Sequence, residues 1–236
     1  MRIKTLLTLG RVSNLPTVWM NAIAAIALSA TAAGIEAGTF QLVAILFGLS
    51  CLYAGGMSFN DYCDRHWDLE NQPFRPIPAG KISAQTVLLM SIGLFVLGLA
   101  FLFQTAASFA AAIGLLSLIV AYDILHKQFA SSVLLMASTR LGVYIVAAFA
   151  ISSSPPSAVF ILAFIQATYT LVVTLVARYE NKLGFRFSYP LIPWLLAGMG
   201  IVDGVVLGYL LSPIWLLAGI ATTALTRFFQ LYIRGD

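Results

Sequence analysis

The chain has 236 residues, of which 60% are hydrophobic and only 9% charged, with a net charge of +4. Soluble domains carry roughly a quarter of charged residues, so this composition excludes an ordinary soluble protein. The small positive charge follows the predicted membrane topology and does not indicate a nucleic-acid-binding surface. We therefore expect a lipid bilayer around the chain and no nucleic acid partner.

Hydrophobic segments long enough to cross a bilayer recur along the whole sequence. Eight transmembrane α-helices are predicted at 13–34, 38–60, 83–103, 106–124, 132–151, 156–178, 188–210 and 212–231. The first follows basic residues as a signal peptide does, but its apolar part is too long, so we interpret it as a retained helix. Little sequence remains between the segments. Residues 1–236 are therefore expected to form one all-α domain, a bundle of about eight helices.

The basic residues predict the orientation of this bundle. If the N-terminus is cytoplasmic, 12 of the 13 Lys and Arg residues lie in cytoplasmic segments or at the adjoining helix ends, and the exception, Arg140, lies inside the fifth helix. The opposite loops contain no Lys or Arg. This asymmetry follows the positive-inside rule and predicts an inner (cell) membrane protein with both termini in the cytoplasm.

The second predicted helix ends in "FNDYCDRHWDLENQPFRPIPAGK", residues 59–81, which are unusually rich in acids. Asn60, Asp64 and Asp68 are spaced four apart, so each is rotated only about 40° from the last and all three share one face. Asp61 lies about 100° from Asn60. A helix that merely leaves the membrane explains these acids poorly, because cations are favoured at a helix C-terminus. Oxygen ligands of this kind suit Mg²⁺ and predict a magnesium site.

Three stretches carry a resemblance to a known family. "NDYCDRHWD" matches the motif N-x-x-x-D-x-x-x-D, "RPIPAG" matches the loop that follows it, and "GRVSNLPTVWMNAIAA" is similar to the first helix of the UbiA superfamily of intramembrane prenyltransferases. The resemblance implies a transmembrane helix bundle with cytosolic cap loops. It also implies an enzyme that uses Mg²⁺ to transfer an isoprenyl group from an isoprenyl diphosphate to an acceptor.

The resemblance also implies roles for individual residues. Asn60, Asp64 and Asp68 would hold Mg²⁺ and, together with Asp61, would be catalytic. The remaining candidates would bind the substrate; they are Arg11, Asn14, Arg75, Tyr122, Lys127, Arg178 and Glu180. Tyr122 and Lys127 come from "YDILHK", which resembles the family's tyrosine-to-lysine element with one extra residue.

The sequence departs from the family pattern at the sixth helix. A second acidic motif, D-x-x-x-D, is expected there, but "VARYENKLG" places Val176 and Glu180 at the two acidic positions. Arg178 and Lys182 either contact the diphosphate in place of a second metal, or the chain has lost transfer activity. In the second case it would be a diverged accessory protein that binds or exports a lipid or metabolite. The chain is also shorter than nine-helix members and resembles the short EboC-type proteins.

A few polar residues remain open to two interpretations. Asp203 lies in the seventh predicted helix, and Arg140 is its natural partner; the two either form an ion pair that locks helices together or line the chamber. His66, Glu70, Asp123 and His126 are expected to be solvated charges near the surface. The sequence leaves open the acceptor, the donor chain length and the oligomeric state.

Overall fold

The structure, a computed structural model, describes residues 3–107, 109–183 and 190–233, with the side chains of 180–183 excepted. Within these residues it contains helices and no β-strand. The helices are α1 Ile3–Leu9, α2 Leu15–Ala33, α3 Thr39–Asn71, α4 Ala84–Leu102, α5 Phe109–Leu125, α6 Ser132–Phe149, α7 Ser157–Leu183, α8 Leu191–Leu210 and α9 Ile214–Tyr232. Helices α2 to α9 correspond to the eight predicted segments. The all-α fold is confirmed.

Seven of the described helices are long and apolar enough to cross a membrane. The exception among α2 to α9 is α5, whose 17 residues extend about 25 Å at 1.5 Å per residue. Large apolar side chains lie exposed on the outside of the bundle, including Phe164, Leu217 and Val96. Such a surface is stable in lipid and not in water, so the chain is a multi-pass membrane protein.

Helix α3 is much longer than the segment predicted from hydropathy. The predicted span ends at residue 60, where polar residues begin, whereas the 33-residue helix continues to Asn71. It extends about 50 Å, against about 30 Å for the hydrocarbon core of a bilayer. The last turns remain helical because their polar side chains have partners on other elements. The acidic residues therefore lie on the end of a continuous helix that projects beyond the membrane core.

Small residues bring α8 and α9 into close contact. A Cβ atom added to Gly204 would lie 2.8 Å from the Cα atom of Gly219, and one added to Gly219 would lie 2.7 Å from the carbonyl oxygen of Gly200. Both distances are shorter than van der Waals contact. The two backbones can therefore approach this closely only because these positions lack side chains.

We expect Gly204→Leu to destabilise the protein, because the new side chain must force α9 away from α8. The expected loss is about 1–3 kcal/mol, the usual range for overpacking a well-packed contact. Thermal unfolding in detergent micelles, followed by circular dichroism, measures it. Gly93→Leu is the matched control, since a Cβ at Gly93 on α4 meets no atom within 4 Å. An equal fall in melting temperature for both variants would contradict the packing argument.

Candidate functional site

The acidic residues at the end of α3 lie together and are buried. The relative exposures of Asn60, Asp61, Asp64 and Asp68 are 6%, 5%, 4% and 0%. The spacing of four predicts the shared face of Asn60, Asp64 and Asp68, and the structure adds Asp61 to it. Buried carboxylates are stable only when they are paired with cations or hydrogen-bond donors. The surrounding elements provide these partners.

The loop between α3 and α4 supplies the central cation. The Nη1 atom of Arg75 lies 3.0 Å from Asp68 Oδ2, 3.2 Å from Asp61 Oδ1 and 3.9 Å from Asp64 Oδ2. Its Nε atom donates a hydrogen bond of 2.7 Å to Gln72 Oε1, which fixes the guanidinium. The loop turns back at Gly80, whose φ of +67° favours glycine. One guanidinium thus contacts three carboxylates.

The N-terminal segment brings a second guanidinium to the same acids. The Nη2 atom of Arg11 lies 3.6 Å from Asp61 Oδ1 and 3.5 Å from Asn60 Oδ1. Arg11 has a φ of 42°, in the left-handed region that residues other than glycine rarely adopt. This conformation forms the tight turn between α1 and the short 3₁₀ helix Val12–Asn14. The predicted substrate-binding residue Arg11 therefore lies at the acidic cluster.

The end of α5 contributes a third group of contacts, centred on Asp64. Asp64 Oδ2 lies 3.1 Å from His126 Nε2 and 3.4 Å from Lys127 Nζ. The ammonium of Lys127 also lies 3.6 Å above the centre of the Trp67 ring, where a cation–π contact holds it. The ring of Tyr122 stacks on His126, with centroids 5.0 Å apart. The expectation that His126 is solvated is wrong, whereas His66 and Glu70 are exposed as expected.

Asp123 is a functional candidate that the sequence analysis missed. It was expected to be a solvated loop charge, but it is buried within α5, with 2% exposure. Its Oδ1 accepts a hydrogen bond of 3.2 Å from Asn60 Nδ2, and its Oδ2 has no hydrogen-bond partner among the described residues. Asp123 lies in the last turn of α5, and His126 and Lys127, which both contact Asp64, follow within four residues. That closeness in sequence to a predicted substrate-binding residue is the signal that could have identified it.

A cavity that spans about 560 Å³, counting space open to solvent, lies beside this cluster. It lies between α2, α3, α5 and α6, and most of its lining is apolar. Tyr122 and Asp123 line the end near the acids, and Arg140 lines another part of the wall. The acids of α3 and the cations that contact them, Arg11, Arg75 and Lys127, therefore form a charged mouth. This mouth opens into an apolar chamber.

Two predicted substrate-binding residues have partners outside the acidic cluster. Asn14 Oδ1 accepts a hydrogen bond of 2.8 Å from Gln230 Nε2 of α9. Arg178 contacts the backbone between α5 and α6; its donors bond the carbonyl oxygens of Ala130 at 2.5 Å, His126 at 3.2 Å and Phe129 at 3.4 Å. Carbonyl groups that follow a helix C-terminus attract cations. The side chain of Glu180, also predicted to bind substrate, lies outside the described residues.

The sequence matches the UbiA prenyltransferase family over residues 18–235. The chain belongs to that family. Its membership confirms the resemblance seen in the motif at the end of α3. The family match covers every residue that lines the cavity, and it includes the acids of α3 together with Arg75 and Lys127.

Two curated relatives of the UbiA type illustrate the similarity. The chain is 34% identical over 108 residues to digeranylgeranylglyceryl phosphate synthase of Saccharolobus solfataricus, across 44% of this chain. It is also 34% identical over 118 residues to protoheme IX farnesyltransferase of Alkalihalophilus pseudofirmus, across 49% of this chain. The matched segments span only 37% and 36% of those relatives' own lengths.

A solved UbiA structure supports the fold over almost the whole chain. The UbiA homologue from Archaeoglobus fulgidus, solved with GPP and Mg²⁺ bound, has a TM-score of 0.63 to this chain. The alignment covers 97% of each chain at 17% identity. At that identity the likeness shows a common fold and nothing further about substrates.

The donor atoms at the mouth suit a magnesium ion in their chemistry. They are carboxylate and amide oxygens, and the buried Oδ1 of Asp68 and Oδ2 of Asp123 have no hydrogen-bond partner among the described residues. Among the same residues, no group of three or more His, Cys, Asp or Glu side chains is arranged to hold a metal ion. The guanidinium of Arg75 lies between the carboxylates instead. A metal ion and Arg75 would therefore compete for the same oxygens.

Proposed function

We propose that this UbiA-family chain is an enzyme that transfers an isoprenyl group from its diphosphate to an acceptor inside the membrane. The observation that carries this proposal is the junction of a charged mouth with an apolar cavity. Cationic side chains suit a diphosphate, and the apolar walls suit an isoprenyl chain. The names of the relatives, a digeranylgeranylglyceryl phosphate synthase and a farnesyltransferase, support the same chemistry.

The transfer breaks one bond and forms one bond. The C1–O bond of the donor breaks, and its electron pair leaves with the diphosphate oxygen. The allylic carbocation that remains then bonds to an electron pair of the acceptor, and the acceptor loses a proton. Lys127, Arg11 and Arg75 are placed to stabilise the charge on the departing diphosphate. The apolar cavity keeps water away from the carbocation.

We assign Asn60, Asp64 and Asp68 as the magnesium ligands, with Asp61 as an acidic neighbour. When bound, Mg²⁺ would neutralise part of the charge on the acids and on the diphosphate. Tyr122 lines the cavity next to this position and is therefore placed to contact the donor's isoprenyl chain. Arg178 acts as a positioning residue, because its contacts hold the backbone that carries His126 and Lys127.

The proposed enzyme lies in the inner (cell) membrane, with its charged mouth and both termini facing the cytoplasm. The distribution of Lys and Arg residues supports this orientation. In this orientation the donor diphosphate enters the mouth from the cytoplasm.

A second candidate function is a carrier that binds a lipid or metabolite without transferring a group. The incomplete second acidic motif favours it, since Val176 occupies a position where the family has an acid. A carrier needs the cavity, but it does not need the acidic cluster at the end of α3 to activate a diphosphate.

Turnover in the presence and absence of metal separates the two functions. Protein reconstituted in nanodiscs with labelled geranylgeranyl diphosphate, Mg²⁺ and a lipid extract is expected to release diphosphate and to label a lipid. Excess EDTA should reduce both rates at least about 100-fold, because the negative charge of the acids and diphosphate is then uncompensated. Binding of the diphosphate without any release, with or without EDTA, would reject the enzyme and favour the carrier.

A further inference from the structure

Helices α3 and α5 pack closely one turn before the acidic cluster begins. A Cβ atom added to Gly56 would lie only 2.6 Å from the Cγ2 atom of Ile119, so the glycine permits this close approach. Asn60 follows Gly56 by four residues, and Asp123 follows Ile119 by four, so the next turn of each helix brings the two polar side chains together. Asn60 Nδ2 donates a hydrogen bond of 3.2 Å to Asp123 Oδ1. The packing thus places a carboxyl group of α5 against the first residue of the acidic motif on α3.

Asp123 differs from the acids of α3 because it has no cationic partner. Asp61 and Asp68 lie 3.2 and 3.0 Å from Arg75, and Asp64 lies 3.4 Å from Lys127. Among the described residues, Asp123 forms no ion pair and its Oδ2 accepts no hydrogen bond, although the residue is only 2% exposed. It also lies in the last turn of α5, and a helix C-terminus favours cations over anions. Ionising this carboxyl group therefore requires a cation that the described residues do not supply.

Asp203 of α8 shows how the protein satisfies a buried carboxylate when it serves a structural purpose. Three donors surround its two oxygens; they are the Tyr144 hydroxyl, Gln166 Nε2 at 3.1 Å and Asn21 Nδ2 at 2.6 Å. The guanidinium of Arg140 also attracts it, and a bond of 3.0 Å from Arg140 Nη1 to Asn21 Oδ1 links the two. These contacts join α2, α6, α7 and α8. Asp203 is therefore satisfied by the protein alone, whereas Asp123 is not.

The free oxygen of Asp123 belongs to the place where the charged mouth meets the cavity. Asp123 lines the cavity and bonds Asn60, which is one of the proposed magnesium ligands. Arg75 contacts the three acids of α3 but not Asp123, so a metal ion bound to Asp123 need not displace the guanidinium from this oxygen. Mg²⁺ commonly binds one or two carboxylates and completes its coordination with water and substrate phosphates. One carboxylate and one amide oxygen therefore suffice for the protein's share of such a site.

We propose that Asp123 is a metal ligand that joins Asn60 at the end of the acidic cluster nearest the cavity. It supplies from α5 an acidic group in place of the one that the chain lacks at Val176 of α7. The assignment rests on the proposed function in one respect, since the cation is the Mg²⁺ that accompanies the donor's diphosphate. The incomplete second acidic motif then no longer argues against transfer, because a different helix provides the missing charge.

Binding of Mn²⁺, which prefers the same oxygen ligands as Mg²⁺, tests this assignment without any turnover. Electron paramagnetic resonance on the full chain in nanodiscs, with no diphosphate present, measures the free Mn²⁺ and hence its Kd. Asp123→Asn is expected to weaken Mn²⁺ binding at least about tenfold, the lower end of the usual cost of changing a residue of a metal site. Asparagine keeps an oxygen that can accept the bond from Asn60. A residue that only orients Asn60 would therefore lose less than about threefold.

Asp203→Asn is the matched control, because it neutralises an equally buried acid that lies outside the mouth. Its Mn²⁺ affinity should stay within about twofold of the wild type, since distant sites act independently. If it fails to fold, Glu70→Gln, at an exposed position on α3, replaces it. If Asp123→Asn fails to fold, Asp123→Ser takes its place, with the same loss expected. Wild-type protein that binds no Mn²⁺, or a neutral Asp123 variant whose affinity stays within about threefold of the wild type, overturns the assignment.

These outcomes are separate from those of the proposed function. A protein that releases diphosphate from geranylgeranyl diphosphate, but whose Asp123→Asn variant binds Mn²⁺ normally, retains the transferase assignment and loses the ligand. A protein that binds Mn²⁺ through Asp123 but releases no diphosphate retains the ligand and loses the transferase.

Discussion

Asp64→Asn is expected to reduce kcat/KM for diphosphate release at least about 100-fold, the usual cost of removing one electrostatic group that acts on the transition state. Asp64 is the acid that connects α3 to α5, since its Oδ2 lies 3.1 Å from His126 Nε2 and 3.4 Å from Lys127 Nζ. Asparagine keeps the shape but removes the negative charge. The variant should therefore weaken the proposed metal contact and remove the ion pair that positions Lys127. Steady-state kinetics with labelled geranylgeranyl diphosphate measures the effect.

The control for this variant is Glu70→Gln, on the same helix. Glu70 is exposed and lies outside the cluster, so its change should alter kcat/KM less than about twofold. Circular dichroism and gel filtration of both variants establish that the fold is retained. Full activity in folded Asp64→Asn protein would refute the assignment of the acidic cluster as the catalytic site.

Arg75→Met is expected to lower the thermal stability, because it leaves three buried carboxylates without their shared cation. Removing one partner from a buried charge pair costs about 3 kcal/mol or more. Here Nη1 of Arg75 contacts Asp61, Asp64 and Asp68 within 3.9 Å. Added Mg²⁺ should restore much of the lost stability, since the metal and the guanidinium compete for the same oxygens. Melting temperatures with Mg²⁺ and with EDTA measure both effects.

Lys81→Met tests whether any loss of charge in this loop has the same result. Lys81 lies in the same loop but is exposed, so its variant should melt within about 2 °C of the wild type in both conditions. If Mg²⁺ raises the melting temperature of the Arg75 variant no more than that of the wild type, the acids do not form a metal site. The assignment of Asn60, Asp64 and Asp68 as ligands would then fail.

Hydropathy alone predicts most of this fold. Each predicted segment lies within a few residues of one of the helices α2 to α9, except at the ends of α3 and α7, because crossing a bilayer demands long apolar helices. The exceptions are instructive. Helix α3 continues to Asn71 because hydrogen bonds and ion pairs from other elements stabilise its polar end. A hydropathy profile cannot register such partners, since they are distant in sequence.

The candidate site is predictable only where its residues are close in sequence. The spacing of Asn60, Asp64 and Asp68 is a local property of one helix, and it correctly predicts a shared face. Asp123 and His126 were misjudged because their partners, Asn60 and Asp64, lie more than 60 residues away. A polar residue at a helix end is equally consistent with solvent and with a buried partner. Only the packing of α3 against α5 distinguishes the two.

The unbroken course of α3 constrains how this protein can evolve. Because the helix runs without interruption from Thr39 to Asn71, the direction of every acidic side chain depends on the number of residues before it. Inserting one residue upstream of Asn60 would rotate Asp64 by about 100° out of the cluster, whereas four added residues would rotate it by only about 40°. Insertions and deletions in this segment should therefore be tolerated only when their length is close to a whole number of helical turns. This should hold even at positions where substitutions are tolerated.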